Sequence, residues 1–292
     1  MEILVIGGTR YFGVHMVHSL LGNGHHVTIA TRGKTADDFG DKVERIIFDR
    51  SDAESMKMLG SRHYDVVIDK IAYCSNDIRY ALEVLDCDRY IYMSSTAVYD
   101  KKTMDTKECD YNGSERALIW CDRNEFSYCE VKQQAENALF QKYANRNWTA
   151  VRYPVVLGTD DYTGRLLFYV AHIVKSIPMY IDNLDHQMSF IRSDEAGNFL
   201  SFIVDRDLKG AINGSACGTI TLREIIQYTE EKTGAKAIIS SDGEPAPYNG
   251  ECSHRINIEK AQSLGFVFSH INDWIYELIE YYIERLQQTD CC

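Results

Sequence analysis

No apolar stretch in the 292 residues approaches the roughly 18 needed for a membrane-spanning helix. Nor is there a basic leader segment, because Met1 is followed by Glu2 and then directly by the apolar run at residues 3–6. Neither export nor membrane insertion is expected, and the expected location is cytoplasmic. Cations are in deficit, with 31 Lys and Arg against 43 Asp and Glu, a net charge of −12. Such a surface repels phosphate backbones and acidic membranes, so nucleic acid is a disfavoured partner. The nine cysteines, at 74, 87, 109, 121, 129, 217, 252, 291 and 292, include no CxxC pair and no metal-finger spacing. Reduced thiols are expected rather than a disulfide framework, and no metal site. The terminal Cys291–Cys292 pair lacks the C-a-a-X order of a prenyl acceptor and reads as inert. Repeats and low-complexity segments are also missing.

What is present is an alternation. Short β-branched runs at 3–6, 27–30, 46–48, 66–69, 90–94 and 149–153 read as strands. Stretches at 13–21, 77–85 and 128–143 carry apolar residues at three- and four-residue spacing, as helices packed on a sheet should. This is an α/β class chain with a Rossmann-type, doubly wound parallel sheet. After residue 158 the order becomes irregular, with helices near 166–174, 193–203, 222–233 and 271–286 and short strands around 179–181 and 188–191. The expected division is a dinucleotide-binding domain over 1–158, joined by 193–215, and a smaller α/β substrate-binding portion over 159–292. The segment 240–251, rich in Gly, Pro, Asp and Ser, reads as a mobile flap.

The first strand runs into Gly7-Gly8-Thr9-Arg10-Tyr11-Phe12-Gly13 and then a helix, the context a dinucleotide fingerprint requires. Gly7 permits the tight turn, Gly13 lets helix and strand approach, and the helix N-terminus faces a pyrophosphate. Arg10 stands where the commoner spacing has its middle glycine. The second strand ends in Thr31-Arg32 rather than in an acid for the ribose 2′-hydroxyl. Two arginines and no carboxylate favour NADP(H) over NAD(H). Asp49, after the third strand, reads either as an adenine contact or as a helix N-cap.

The run Ser94-Ser95-Thr96-Ala97-Val98-Tyr99 closes the fifth strand, and Tyr128 and Lys132 follow at i, i+4 on a helix. That spacing puts ammonium and phenol on one face, where a cation pulls the phenol, with a free pKa near ~10, toward the working range of an acid–base catalyst. A Ser95 hydroxyl at the strand end is placed to hold the substrate oxygen.

In these landmarks the sequence resembles the NAD-dependent epimerase/dehydratase family of extended and atypical short-chain dehydrogenases/reductases. The likeness continues through Arg152-Tyr153-Pro154, residues 190–195 and Leu264-Gly265-Phe266. The wording of the glycine turn and of residues 160–165 is most similar to a branch that includes chloroplast stem-loop RNA-binding proteins. The resemblance implies Tyr128 as acid/base, Lys132 as ribose-binding residue and Ser95 as carbonyl partner. It also implies a homodimer through the helices near 77–85 and 128–143. Thr96 and Ala97 stand where family dehydratases carry Asp and Glu, which disfavours water elimination. Val155 stands where sugar-nucleotide epimerases often carry Asn, although Arg165 and Arg192 are candidate anion contacts.

The expected function is an NAD(P)-dependent oxidoreductase or epimerase moving a hydride to or from a secondary alcohol or carbonyl of a small molecule, such as a sugar or sugar nucleotide. The rival is an RNA-binding or nucleotide-sensing protein that kept the fold. His15 and His18 lack a third ligand and read as structural or solvated, Cys129 reads as packing, and the aromatic run 274–282 reads as core.

Overall fold

The computed structural model describes residues 1–289, so Cys291–Cys292 lies outside the described residues. The strands are β1 (Glu2–Ile6), β2 (His26–Thr31), β3 (Glu44–Ile47), β4 (His63–Asp69), β5 (Asp86–Met93), β6 (Trp148–Arg152), β7 (Val155–Leu157), β8 (Met179–Tyr180), β9 (Phe190–Arg192), β10 (Gly210–Asn213) and β11 (Glu244–Pro245). The helices are α1 (Phe12–Gly22), α2 (Ala53–Leu59), α3 (Ser75–Val84), α4 (Tyr128–Gln141), α5 (Arg165–Val174), α6 (Ser193–Val204), α7 (Leu222–Thr233), α8 (Glu259–Ser263) and α9 (Ile275–Thr289).

A seven-stranded parallel sheet runs in the order β10-β6-β5-β4-β1-β2-β3. Ile3 and Val5 of β1 face a core shared with α1 and α6, whereas Leu4 and Ile6 face one shared with α2, α3 and α4. This strict alternation between two covered faces is why β1 reads as a continuous apolar run. The strand order reverses between β1 and β4, so the loops leaving their carboxyl ends diverge and open a crevice there.

Residues 193–213 contribute α6, packed along α1, and the edge strand β10. A separate core lies among α5, α7 and α9, where Trp274 and Tyr282 are buried as their helical spacing predicts. The helical signal at 271–286 begins with a single 3₁₀ turn at Ile271–Asp273. The segment 240–251 is tied down rather than free. Ser240 and Ala246 donate to the Met179 and Tyr180 carbonyls, and Tyr248 stacks on Tyr169. Its Gly and Pro shape a ladder edge instead of a flap. No helix among the described residues is long and apolar enough to cross a membrane.

Candidate active site

The turn after β1 is built on backbone that only glycine adopts easily: Gly7 and Gly8 have φ of +100° and +104°. A Cβ on Gly13 would stand 2.8 Å from the Gly8 Cα, so the helix is drawn hard against the turn. Helix α1 begins at Phe12 with no side-chain cap, leaving its first N–H groups to be satisfied from outside. These features fit a dinucleotide pyrophosphate. Tyr11, at φ 59°, donates its hydroxyl to the Val156 carbonyl and so ties the turn to β7.

Lys70 escaped sequence reasoning. It leaves the carboxyl end of β4, and its stem packs on Gly7 and Gly13. The ammonium lies 4.1 Å from the Phe12 ring centre. Burial lowers its pKa to about 8, against an opposing pull from Asp160. A lone lysine after a strand looks solvated in sequence, and only the adjacency of β4 to β1 marks it.

Ser127 and Glu130 form a capping box that starts α4 at Tyr128. A cavity of about 430 Å³ brings Tyr128, Lys132 and Ser95 together with Tyr11, Phe12 and Lys70. The expected contact between ammonium and phenol is not made. Lys132 donates instead to the Ala72 and Met93 carbonyls, at 2.9 and 2.7 Å. Those buried carbonyls, one in the loop after β4 and one on the last residue of β5, are out of reach of water, and they claim two of the three ammonium donors. Burial lowers the Lys132 pKa to about 7, with Asp69 and Asp77 opposing. Tyr128 stands at the cavity mouth, 50% exposed, yet the surrounding protein still raises its pKa. A hydrogen bond with Ser95 and the charge of Arg165 act the other way. Arg165 is thus a cation that bears on the phenol, while the Lys132 ammonium is engaged by carbonyls.

Arg165 lines the cavity, but Arg192 does not, because its guanidinium is bonded to Asp194 at 2.6 Å. Arg10 leans on the Tyr162 ring at 5.4 Å, and Thr9 lies beside it in the turn. Thr31 and Arg32 sit at the end of β2, where the Thr31 hydroxyl accepts from the Gly33 amide. Asp49 holds Ser51, while Asp52 is the N-cap of α2, so capping falls three residues later than the sequence suggested. Thr31, Arg32 and Asp49 lie outside the cavity, on the other half of the sheet. Cys129 is exposed and lines the cavity rather than packing, since α4 begins at the cavity mouth. His15 and His18 turn to separate acids, Asp160 and Asp38. All cysteines among the described residues are free.

Comparison with known proteins agrees with this architecture. UDP-glucose 4-epimerase of Thermotoga maritima, solved with UDP-glucose, is 17% identical, covers 99% of each chain and superposes with a TM-score of 0.75. The Thermus thermophilus UDP-glucose 4-epimerase, solved with NAD, is 17% identical over 97% of this chain and 99% of that one, with a TM-score of 0.69. At such identities the likeness is one of fold. The chloroplast stem-loop binding protein of 41 kDa b from Arabidopsis thaliana is 28% identical over 203 residues, 64% of this chain and 50% of that protein. The chain thus spans about half the length of the curated relative it matches. The model of the NAD dependent epimerase/dehydratase family matches residues 3–213, and the chain belongs to that family.

Proposed function

We propose that the chain is a nicotinamide-dependent epimerase or reductase acting on a secondary alcohol or carbonyl of a sugar-like molecule. The observation that carries this reading is the single cavity shared by the glycine turn, Ser95, Tyr128 and Lys132. The bound nicotinamide supplies or accepts the hydride. Tyr128 gives a proton to the substrate oxygen or takes one from it, and Ser95 orients that oxygen. Lys132 lines the cavity and holds the loop after β4 to the end of β5 through the Ala72 and Met93 carbonyls. Residues 1–158 with 193–215 form the cofactor half of this reading, and most of 159–292 forms the substrate half. Homodimerisation through α3 and α4 belongs to it as well, supported by the exposed apolar side chains of Tyr80 and Ile119 beside those helices.

Cofactor choice tests the reading. With Arg10 and Arg32 near the turn and no acid at 31, NADPH is expected to bind more tightly than NADH by calorimetry, and Arg32→Asp to erase the difference. Tighter NADH binding by the unaltered chain refutes the preference, and no binding of either refutes the enzyme reading. NADP(H) also points to net reduction, because an epimerase returns its hydride and keeps the cofactor bound.

The name of the plant relative, a stem-loop binding protein, favours the rival reading from the sequence, RNA binding. Backbone-driven RNA affinity needs clustered cations and falls by orders of magnitude as salt rises. Here Arg79 and Arg123 are stacked on the Trp120 and Tyr73 rings, and the net charge is −12. No saturable RNA binding is expected in gel-shift titrations at physiological salt. Tight, salt-resistant binding that NADPH does not displace selects this reading instead.

A further inference from the structure

The cations around the cavity are not equivalent. Lys132 is held by two carbonyls, Lys102 is ion-paired with Glu251, and Lys70 leans on Phe12. Arg165, the first residue of α5, lines the same cavity, and its guanidinium has no hydrogen bond, ion pair or ring contact with any described residue. Its five N–H donors are free to take a planar or tetrahedral oxyanion.

Tyr248 supplies an independent observation. It lines the cavity, is 5% exposed, and its hydroxyl oxygen is buried without a hydrogen-bond partner. The ring cannot swing away to find one. It is stacked on Tyr169, with centroids 5.5 Å apart and planes 19° from parallel, and its other contact is Phe190 at 5.4 Å. An unpaired buried hydroxyl costs about 1–3 kcal/mol, a cost relieved when a ligand oxygen meets it. Burial raises the pKa of both Tyr128 and Tyr248, and Arg165 opposes the rise in each, so its charge lies within electrostatic reach of both hydroxyls.

Size narrows the ligand further. Pockets for drug-sized molecules run to roughly 300–1,000 Å³. The cavity here measures about 430 Å³ and includes the Tyr11–Phe12 end that belongs to the cofactor. What is left suits a single sugar ring. On the wall, Val155 and Val156 offer no side-chain donor to a diphosphate.

Resting on the enzyme reading above, we infer that the substrate is a monosaccharide-sized polyol carrying one anionic group, a carboxylate or a phosphate monoester, bound by Arg165 with Tyr248 on a neighbouring oxygen. The charged group then sits on the side of the cavity that also holds Tyr128, so the reacting carbinol is close to it along the chain.

The test is calorimetric titration of the full chain, with and without NADPH, using gluconate, glucuronate, glucose 6-phosphate, ribose 5-phosphate, glucose and UDP-glucose. At least one of the four anionic monosaccharides is expected to bind about tenfold or more tightly than glucose, and more tightly than UDP-glucose. Whether the carboxylates or the phosphates lead identifies the anion. Arg165→Met is expected to remove that advantage, Arg165→Lys to restore part of it, and Tyr248→Phe to weaken binding several-fold. Arg165 is exposed and unpartnered, so its variants should keep the wild-type circular dichroism and Tm. The inference is overturned if none of the four anions binds, if UDP-glucose binds more tightly than all of them, or if Arg165→Met leaves the discrimination intact. Turnover of a nucleotide sugar with bound cofactor would sink this inference and keep the enzyme reading, whereas absence of NADH and NADPH binding would sink the enzyme reading itself.

Discussion

Replacing Tyr128 with phenylalanine is expected to lower kcat by about 10²–10⁴, the usual worth of a positioned proton donor, while the cofactor Kd moves by less than about threefold. The hydroxyl is the only group this substitution removes, and no hydrogen bond of Tyr128 supports the glycine turn. Because burial raises the Tyr128 pKa, the phenol is protonated at neutral pH. In the reducing direction it acts as an acid, so kcat/KM should stay level through neutral pH and fall as alkali removes the proton. In the oxidising direction it acts as a base, so the rate should climb with pH over the same range. Both pH dependences should vanish in Tyr128→Phe. Lys132→Met provides the contrast, with cofactor affinity falling together with kcat, because the Ala72 and Met93 carbonyls that frame the cavity lose their donor. Turnover of Tyr128→Phe within tenfold of wild type would remove the tyrosine from the chemistry.

Much of this arrangement is legible before any coordinates. Ile3 to Ile6 are apolar at every position because helices cover both faces of β1, and the glycine turn is marked by residues whose backbone has no alternative. Ser95 and Tyr128 are located by their places at a strand end and a helix start. Spacing alone does not say what a side chain prefers among competing partners. The i, i+4 rule puts Lys132 on the face of Tyr128, yet two buried carbonyls, from the loop after β4 and the end of β5, outcompete the phenol. Lys70 and Tyr248 are invisible for the same reason. Their roles arise from contacts with Phe12 and Tyr169 that lie 58 and 79 residues away. The segment 240–251 misleads through composition, because its turn-forming residues serve to lay backbone donors along β8.

Glu136→Ala is expected to destabilise the chain by about 3–5 kcal/mol, a loss on the order of 10 °C in Tm. Glu136 and Arg152 are both 0% exposed, and their carboxylate and guanidinium meet through two hydrogen bonds, at 3.0 and 2.5 Å. The same carboxylate accepts from the Ser94 hydroxyl at 2.5 Å. Arg152 also donates to Tyr99 and to the carbonyls of Glu108 and Tyr111. Alanine at 136 would leave a fully buried guanidinium without its counter-charge and Ser94 without its acceptor, the arrangement in which an unpaired charge costs most. The double variant Glu136→Met/Arg152→Met removes both charges and should recover most of the loss in urea denaturation, giving a coupling energy of at least about 2 kcal/mol in the double-mutant cycle. The effect should reach the chemistry. Glu136 lies one turn beyond Lys132 on α4, and its bonds to Ser94 and Arg152 fix that helix against the ends of β5 and β6. A displacement of about 1 Å between catalytic groups costs on the order of 10²-fold in rate. Well below its Tm, Glu136→Ala should therefore lose kcat far more than KM rises, whereas a purely structural pair would leave both near wild type once the protein is folded. Additive single-variant losses, with no recovery in the double variant, would show that Glu136 and Arg152 act independently and do not form the hinge-pin between α4 and the sheet.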